Sequence, residues 1–364
     1  MRHCLLKPRL LLLPLCLAAC APAQDTFAGV QRIVAIGDIH GDYDRLVDLL
    51  RTANLIDKQN AWAGGATHLV LDGDMVDRGP ATRKVLDLLM ALQAQAPGAG
   101  GAVHPLLGNH EAMDIIGDLR YVSKGDWESY RSSDSKKLLE EAAKSALEEL
   151  NASGTPPPNA EAFLQDFKSK RPLGWVEQRL LFGFSGKYGK WLRQQNAIIK
   201  INDSIFMHAG ISPKYAASTR DEINRRVREE LDDPAKRADG MITTEEGPLW
   251  YRDLLAAPES QAGLAAHVDQ VLKAQQAQRI IVGHSVVPAI LPRFGGKVIA
   301  IDVGLSAPFK GPPAFLLIEG ARFSVIHRGH RLDFPADGRG VLQYLRAVAA
   351  IDPKNSALRK LLSR

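Results

Sequence analysis

The chain has 364 residues, 45% of them hydrophobic and 24% charged, with a formal net charge of +5; that is the balance of a folded globular protein and excludes bulk disorder. Its three cysteines, Cys4, Cys16 and Cys20, all lie near the N-terminus. The rest of the chain has no thiol, which excludes disulfides, thiolate zinc sites and a cysteine nucleophile there.

At the start of the chain Arg2, Lys7 and Arg9 precede an apolar run from Leu10 to Ala19. It is too short to span a bilayer and ends in small residues, the pattern of a secretory signal over residues 1–19. Leu17-Ala18-Ala19 before Cys20 resembles the lipobox of bacterial lipoproteins, in which that cysteine is lipidated. The resemblance implies an envelope protein anchored to the outer membrane through lipid on Cys20, facing the periplasm or the exterior. A cut after Ala21-Pro22-Ala23 would instead release a soluble periplasmic protein. Loss of the leader lowers the formal charge from +5 to +2; no basic block marks a nucleic-acid surface, and no nucleic-acid partner is expected.

Pro22 to Gly29 is expected to form a tether, and residues 30–335 a single catalytic domain. From Gln31 to about Asn109 short β-branched runs alternate with helical patterns, as in βαβ units. Arg32–Ile36, Thr67–Leu71 and Val103–Leu107 are the predicted strands, and each ends in a polar, glycine-containing turn, where ligand sites gather in such folds. A helical insert is expected over 117–189: Ser133-Asp134-Ser135 caps a helix with a stripe including Leu139, Ala143 and Leu150, and Pro156-Pro157-Pro158 separates it from a second helix from about Ala160. Strands resume at Ala197–Ile201 and Ser204–Met207, a charged helix spans Arg220 to about Leu231, and further strands follow at Arg279–Val282, Val298–Asp302, Ala314–Glu319 and Phe323–His327. The late strands are close enough in sequence to form hairpins. The expected fold is α/β, two sheets packed face to face with helices outside, followed by a helical tail over 336–364.

Five of the turns offer an oxygen or imidazole donor: Asp38 and His40, Asp74, Asn109, His208, and His284. One Asp at a strand end is ordinarily a turn former or helix cap; five such turns in one chain point to hard or borderline divalent ions, with donors enough for two if one carboxylate bridges. Two ions about 3.5–4 Å apart can hold a bridging hydroxide as nucleophile and clamp a phosphate for in-line displacement.

Gly37-Asp38-Ile39-His40-Gly41, Gly73-Asp74-Met75-Val76-Asp77-Arg78-Gly79, Gly108-Asn109-His110-Glu111, His208-Ala209-Gly210 and Gly283-His284 together resemble the ordered signatures of the phosphoprotein phosphatase family of metallophosphoesterases. The run from Gly117 to Val122 and Pro248-Leu249-Trp250-Tyr251-Arg252 are similar to its bacterial, Shewanella-like branch. The resemblance implies the αββα calcineurin-like fold and two divalent metal ions (Mn, Fe or Zn). Asp38, His40 and Asp74 would hold the first ion, and Asp74, Asn109, His208 and His284 the second. It further implies His110 as general acid, Asp77 as the carboxylate that orients it, and Arg78 and Arg252 as phosphoryl-binding groups. Asp42, Asp44, Glu111 and Asp302 are read as capping or supporting residues, and His68, His104, His267, His327 and His330 as structural. The eukaryotic serine/threonine enzymes carry Asn-Tyr after Ser-Ala-Pro and an Arg before the Gly-Asn-His-Glu turn; here Phe309 follows Ser306-Ala307-Pro308, and Leu107 precedes the turn. The substrate is therefore expected to be a phosphoprotein, with phosphotyrosine preferred, or a small phosphoester. A diadenosine tetraphosphate-type hydrolase and a non-catalytic envelope binding protein on the same fold are the alternative readings.

Overall fold

The computed structural model describes residues 24–363; the leader, Cys20 and the possible cleavage sites lie outside the described residues. In chain order the strands are β1 (Thr26–Phe27), β2 (Arg32–Ile36), β3 (His68–Leu71), β4 (Ala102–Pro105), β5 (Ile198–Ile201), β6 (Ser204–Met207), β7 (Arg279–Val282), β8 (Leu291–Arg293), β9 (Val298–Ala300), β10 (Ala314–Glu319), β11 (Arg322–His327) and β12 (His330–Asp333). The helices are α1 (Tyr43–Thr52), α2 (Thr82–Gln95), α3 (Asn109–Ile116), α4 (Lys124–Tyr130), α5 (Ser135–Ala152), α6 (Ala160–Ser169), α7 (Trp175–Phe182), α8 (Lys187–Leu192), α9 (Arg220–Asp232), α10 (Asp253–Ala256), α11 (Leu264–Ala274), α12 (Val341–Ile351) and α13 (Ala357–Leu362).

Two six-stranded sheets form, in the orders β1-β5-β6-β7-β9-β8 and β12-β11-β10-β2-β3-β4, so the expected pair of sheets is present. The parallel central strands are buried on both faces, and their β-branched runs supply apolar side chains to both. Of the late strands, β10 and β11 form the expected antiparallel hairpin, which β12 extends, whereas β7 and β9 pair parallel. Arg328 and Gly329 turn β11 into β12 with both φ angles positive, which matches the right-handed twist of a tight hairpin.

Register gathers the turns. β2, β3 and β4 are parallel with Ile36 beside Leu71 and Leu71 beside Pro105, so their C-terminal ends align and release Asp38, Asp74 and Asn109 at one edge. β6 and β7 are parallel with Met207 beside Val282, which does the same for His208 and His284.

The core runs continuously through both sheets, whereas α5 and α6 have a small apolar cluster of their own, Leu139, Ala143 and Phe167. Those two helices pair as an outlying hairpin, while α4, α7 and α8 send Tyr130, Phe182, Tyr188 and Trp191 into the main core. Asp134 stands at the N-cap of α5 without a side-chain capping bond.

The structure corrects several boundaries. Thr26 and Phe27, within the segment read as a tether, form a strand beside β5, and Asn202 binds both the N–H and the C=O of Val30 through its side chain. The third strand covers Ala102–Pro105 rather than Val103–Leu107, because the Leu107 N–H leaves the ladder for Asn196 O. β8 and β12 were not expected: β8 contains Pro292, tolerable because β8 is an edge strand, and β12 is an exposed edge of mostly polar residues. Among the described residues no helix is long and apolar enough to cross a membrane.

Candidate metal centre

The glycine before Asp74 explains how these turns come so close. A Cβ on Gly73, whose φ is +96°, would lie 2.7 Å from Nδ1 of His208 and 2.8 Å from the Gly108 backbone. Only glycine lets the two loops meet there.

Five candidate residues, His40, Asp74, Asp77, Arg78 and His284, adopt left-handed backbone. Each costs about 1–2 kcal/mol in a non-glycine residue, so the surroundings must hold them. Glu111 does much of this: its carboxylate accepts from the N–H of Asp74 (2.9 Å), Met75 (2.7 Å) and Gly108 (2.8 Å). The Arg78 N–H donates to Tyr121 O at 3.0 Å and the His284 N–H to Asp38 Oδ1 at 3.2 Å. At the other end of the same turn, Asp42 caps α1 by accepting from the Arg45 N–H at 3.1 Å.

All six expected ligands are buried and gathered in one place. The outer nitrogens of three histidines are tied to backbone carbonyls: His40 Nδ1 to Val76 O (3.1 Å), His208 Nδ1 to Asp72 O (2.8 Å) and His284 Nε2 to Trp250 O (3.1 Å). A carbonyl can only accept, so each ring spends its proton outward and turns a lone pair inward, the arrangement typical of metal-ligating histidine. His208 Nε2 then lies 3.0 Å from both His284 Nδ1 and Asn109 Oδ1, and 3.3 Å from Asp74 Oδ2. His40 Nε2 lies 3.8 Å from Asp74 Oδ2 and 4.0 Å from Asp38 Oδ2. Inward lone pairs and carboxylates crowded this closely fit a pair of cations. Asp74 Oδ2 belongs to both groups, while Asp74 Oδ1 accepts the His110 N–H at 3.0 Å.

The electrostatics agree. Burial alone would lower the His208 pKa, yet the carboxylates of Asp74 and Asp38 outweigh it and raise it to about 10. Burial lowers His40 to about 3 and pushes His284 down, so both rings are neutral donors. A field that draws positive charge this strongly onto one buried imidazole favours a divalent ion at the same place.

His110 is set differently. Its Nδ1 donates to Asp77 Oδ2 at 2.6 Å, and its Nε2 faces the cluster 3.8 Å from Asp74 Oδ2. Burial opposes its charge, but Asp74 and Asp77 raise its pKa above the ordinary histidine value.

A cavity of about 200 Å³ opens over the cluster and is lined also by Arg78, Arg252 and Asp302. Arg252 is held by His284 O (2.8 Å) and Ser285 Oγ (3.1 Å), and Asp302 accepts the Gly304 N–H (2.8 Å). The Arg78 guanidinium carbon lies 4.4 Å from the Tyr121 ring centroid and 5.3 Å from that of Phe309. Tyr121, Trp250 and Val286 complete the wall. Sequence reasoning quoted Tyr121 and Trp250 within motif runs without giving them a role, and Val286 carried no signal at all.

The histidines read as structural stand apart from this cavity. His68 Nδ1 and His104 Nε2 bind each other at 3.0 Å, His267 Nε2 binds Ile211 O at 2.7 Å, and His327 Nε2 binds Asp352 at 2.8 Å. His330 is exposed on β12.

Residues 31–288 match the family model for calcineurin-like phosphoesterases. The chain is 33% identical over 296 residues to an uncharacterized protein of Schizosaccharomyces pombe, covering 79% of this chain and 76% of that one. It is 29% identical to Shewanella-like protein phosphatase 2 of Arabidopsis thaliana, covering 78% and 73%. Among solved structures it resembles the cold-active protein-tyrosine phosphatase of a psychrophilic Shewanella species, with 30% identity, a TM-score of 0.64 and coverage of 86% and 82%.

Proposed function

We propose, from the premise that the chain belongs to the calcineurin-like phosphoesterase family and is a metal-dependent phosphatase, that it hydrolyses phosphate monoesters of proteins at a two-ion centre and prefers tyrosyl esters. The observation that carries the reading is the anchoring of His40, His208 and His284 to backbone carbonyls, which aims three lone pairs at Asp38, Asp74 and Asn109.

Asp38, His40 and Asp74 would hold one ion, and Asp74, Asn109, His208 and His284 the other; this mixture of imidazole, amide and carboxylate accepts Mn, Fe or Zn. When bound, such ions act as Lewis acids toward phosphoryl oxygens and lower the pKa of a coordinated water. Arg78 and Arg252 reach the same cavity, and their planar forks suit the remaining phosphoryl oxygens. His110 gives the proton on Nε2 to the leaving oxygen, while Asp77 on Nδ1 holds the ring in position and favours its charged form.

Two observations favour tyrosyl esters: the solved Shewanella relative is named a protein-tyrosine phosphatase, and aromatic side chains form part of the cavity wall. Anchoring through lipid on Cys20 in the outer membrane belongs to the same proposal and rests on the leader sequence alone.

The test is hydrolysis of p-nitrophenyl phosphate by purified protein with and without added Mn, followed by matched phosphotyrosine, phosphoserine and phosphothreonine peptides. Metal-stimulated turnover and a higher kcat/KM on the phosphotyrosine peptide are expected. Turnover unchanged by chelation sinks the two-ion centre, and a higher kcat/KM on phosphoserine sinks the preference.

A further inference from the structure

Seven large apolar side chains are exposed among the described residues, and three of them, Tyr121 (36%), Val286 (54%) and Phe309 (40%), line the single cavity over the metal-ligand cluster. They come from separate segments: the loop after α3, the loop after β7 and the loop between β9 and β10. Apolar surface left in water forgoes about 25 cal/mol per Å², and clustered exposure of this kind marks a place where something apolar binds.

The rings are held in place. Asp42 Oδ2 accepts the Ala307 N–H at 2.8 Å, the Gly311 N–H donates to Gly304 O at 2.7 Å, and this fold-back sets the Phe309 ring stacked on His40, centroids 5.4 Å apart and planes at 28°. Tyr121 lies under the Arg78 guanidinium, and its ring centroid is 4.9 Å from that of His110. The proposed proton donor to the leaving oxygen is therefore flanked by an aromatic ring, and whatever carries that oxygen must emerge beside Tyr121.

We propose that Tyr121, with Phe309 and Val286, forms a leaving-group subsite that takes the ring of an aryl phosphate ester. The proposal rests on the phosphatase reading of the centre. An aryl leaving group packs against the exposed parts of the two rings and covers Val286, whereas a seryl ester brings a single methylene and leaves the rings in water. Specificity for the ester then comes from the wall, and the phosphoryl group is bound alike in both cases.

Both rings also touch Arg78, so truncating them weakens phosphoryl binding for every substrate. The ratio of kcat/KM on a phosphotyrosine peptide to that on the matched phosphoserine peptide removes this shared loss. On metal-loaded enzyme, Tyr121→Ala and Phe309→Ala should each lower that ratio by about 3- to 10-fold, the scale of one aromatic contact, mainly through KM. Tyr121→Phe and Phe309→Tyr keep the rings and should keep the wild-type ratio. Should the alanine variants unfold, Tyr121→Leu and Phe309→Leu remove the rings while keeping bulk, and the same ratio decides. A ratio unchanged in the ring-deleted variants, with equal losses on both peptides, overturns the subsite. Wild-type preference for phosphoserine would instead defeat the tyrosyl reading alone, because the subsite is judged by the change in ratio.

Discussion

Nε2 of His208 and Nδ1 of His284 face each other at 3.0 Å, although each ring has already turned its proton to a backbone carbonyl. With the Asp74 carboxylate 3.3 Å from His208 Nε2, the place demands positive charge, which a second proton on His208 meets only in part and a divalent ion meets more fully. Metal removal should therefore destabilise the fold as well as abolish activity. Binding at a hundredfold excess over Kd is worth about 2.7 kcal/mol for each of the two ions, and because the entropy of unfolding grows with length, about 1–2 °C accompanies each kcal/mol in a domain of more than 300 residues. Chelated protein should melt roughly 5 °C or more below Mn-loaded protein, and equal melting curves would remove the metal from this place.

Asp74 divides its work between two oxygens. Oδ1 accepts the His110 N–H at 3.0 Å, and Oδ2 faces His40 at 3.8 Å and His208 at 3.3 Å. Because one oxygen serves both ligand groups, Asp74→Asn should lose more activity than His40→Asn or His284→Asn, and should lower bound metal at both positions. Metal content of the purified variants checks this; two equivalents retained by Asp74→Asn would refute the shared ligand.

The 2.6 Å contact from His110 Nδ1 to Asp77 leaves Nε2 as the one nitrogen able to reach a leaving group. A positioned acid contributes roughly 10²–10⁴-fold, so His110→Asn should lower kcat by that order on tyrosyl and alkyl esters while metal stays bound. Esters with strongly acidic leaving groups need no proton and should lose much less. Asp77→Asn should follow the same pattern more weakly. An equal loss across leaving groups would make His110 structural.

The centre was readable because each donor sits in a glycine-containing turn at the end of a β-run, and parallel strands in register must release such turns at one edge. What surrounds it was not. Tyr121 and Val286 lie in loops, where no periodicity separates a functional apolar side chain from an incidental one. The supporting role of Glu111 depends on three backbone N–H groups converging from two loops, which no local pattern announces. β1 escaped notice because its two residues find their ladder partners at Lys200 and Ile201, far along the chain.

Away from the centre, His327 is buried with Nε2 on Asp352 at 2.8 Å, and the Arg328 Nε donates to the same oxygen at 2.8 Å. This ties β11 to the end of α12. Burial lowers the His327 pKa despite the carboxylate, so the fold prefers the neutral ring. Burial opposes the Asp352 charge, but hydrogen bonds from Arg328 and His327 outweigh it and lower its pKa. Both folded values lie below the unfolded ones, so both groups stabilise at neutral pH and lose that contribution as pH falls. The loss begins for His327 below about 6.5 and for Asp352 below about 4. Urea midpoints at pH 7.5 and 5.5 should fall less steeply in His327→Gln than in wild type. Parallel slopes would exclude the ring from acid sensitivity.

The direction of β1 bears on the proposed anchor. β1 runs parallel to β5, which is antiparallel to β6, so its N-terminal end points toward the edge that carries His208. Gln24 O accepts from Asn196 Nδ2 at 3.0 Å, and Asn196 O accepts the Leu107 N–H at 3.0 Å, immediately before the Gly108-Asn109 turn. The chain thus enters its fold at the same end as the candidate centre. Only Ala21, Pro22 and Ala23 separate Cys20 from Gln24, a reach of at most about 14 Å when fully extended. The acyl chains of a bacterial lipoprotein, unlike a single one, anchor stably, and so short a link would hold the centre close to the bilayer. Wild type should fractionate with membranes and Cys20→Ser should be soluble, with the lipid visible by mass spectrometry of the N-terminus. On membranes a bulky phosphoprotein should be hydrolysed more slowly than by Cys20→Ser, while p-nitrophenyl phosphate is hydrolysed equally. A long Gly-Ser spacer after Ala21 should remove the difference. An unmodified wild-type N-terminus at Gln24 in the soluble periplasmic fraction would defeat the anchor, and a bulky substrate hydrolysed equally by anchored and soluble enzyme would defeat the orientation.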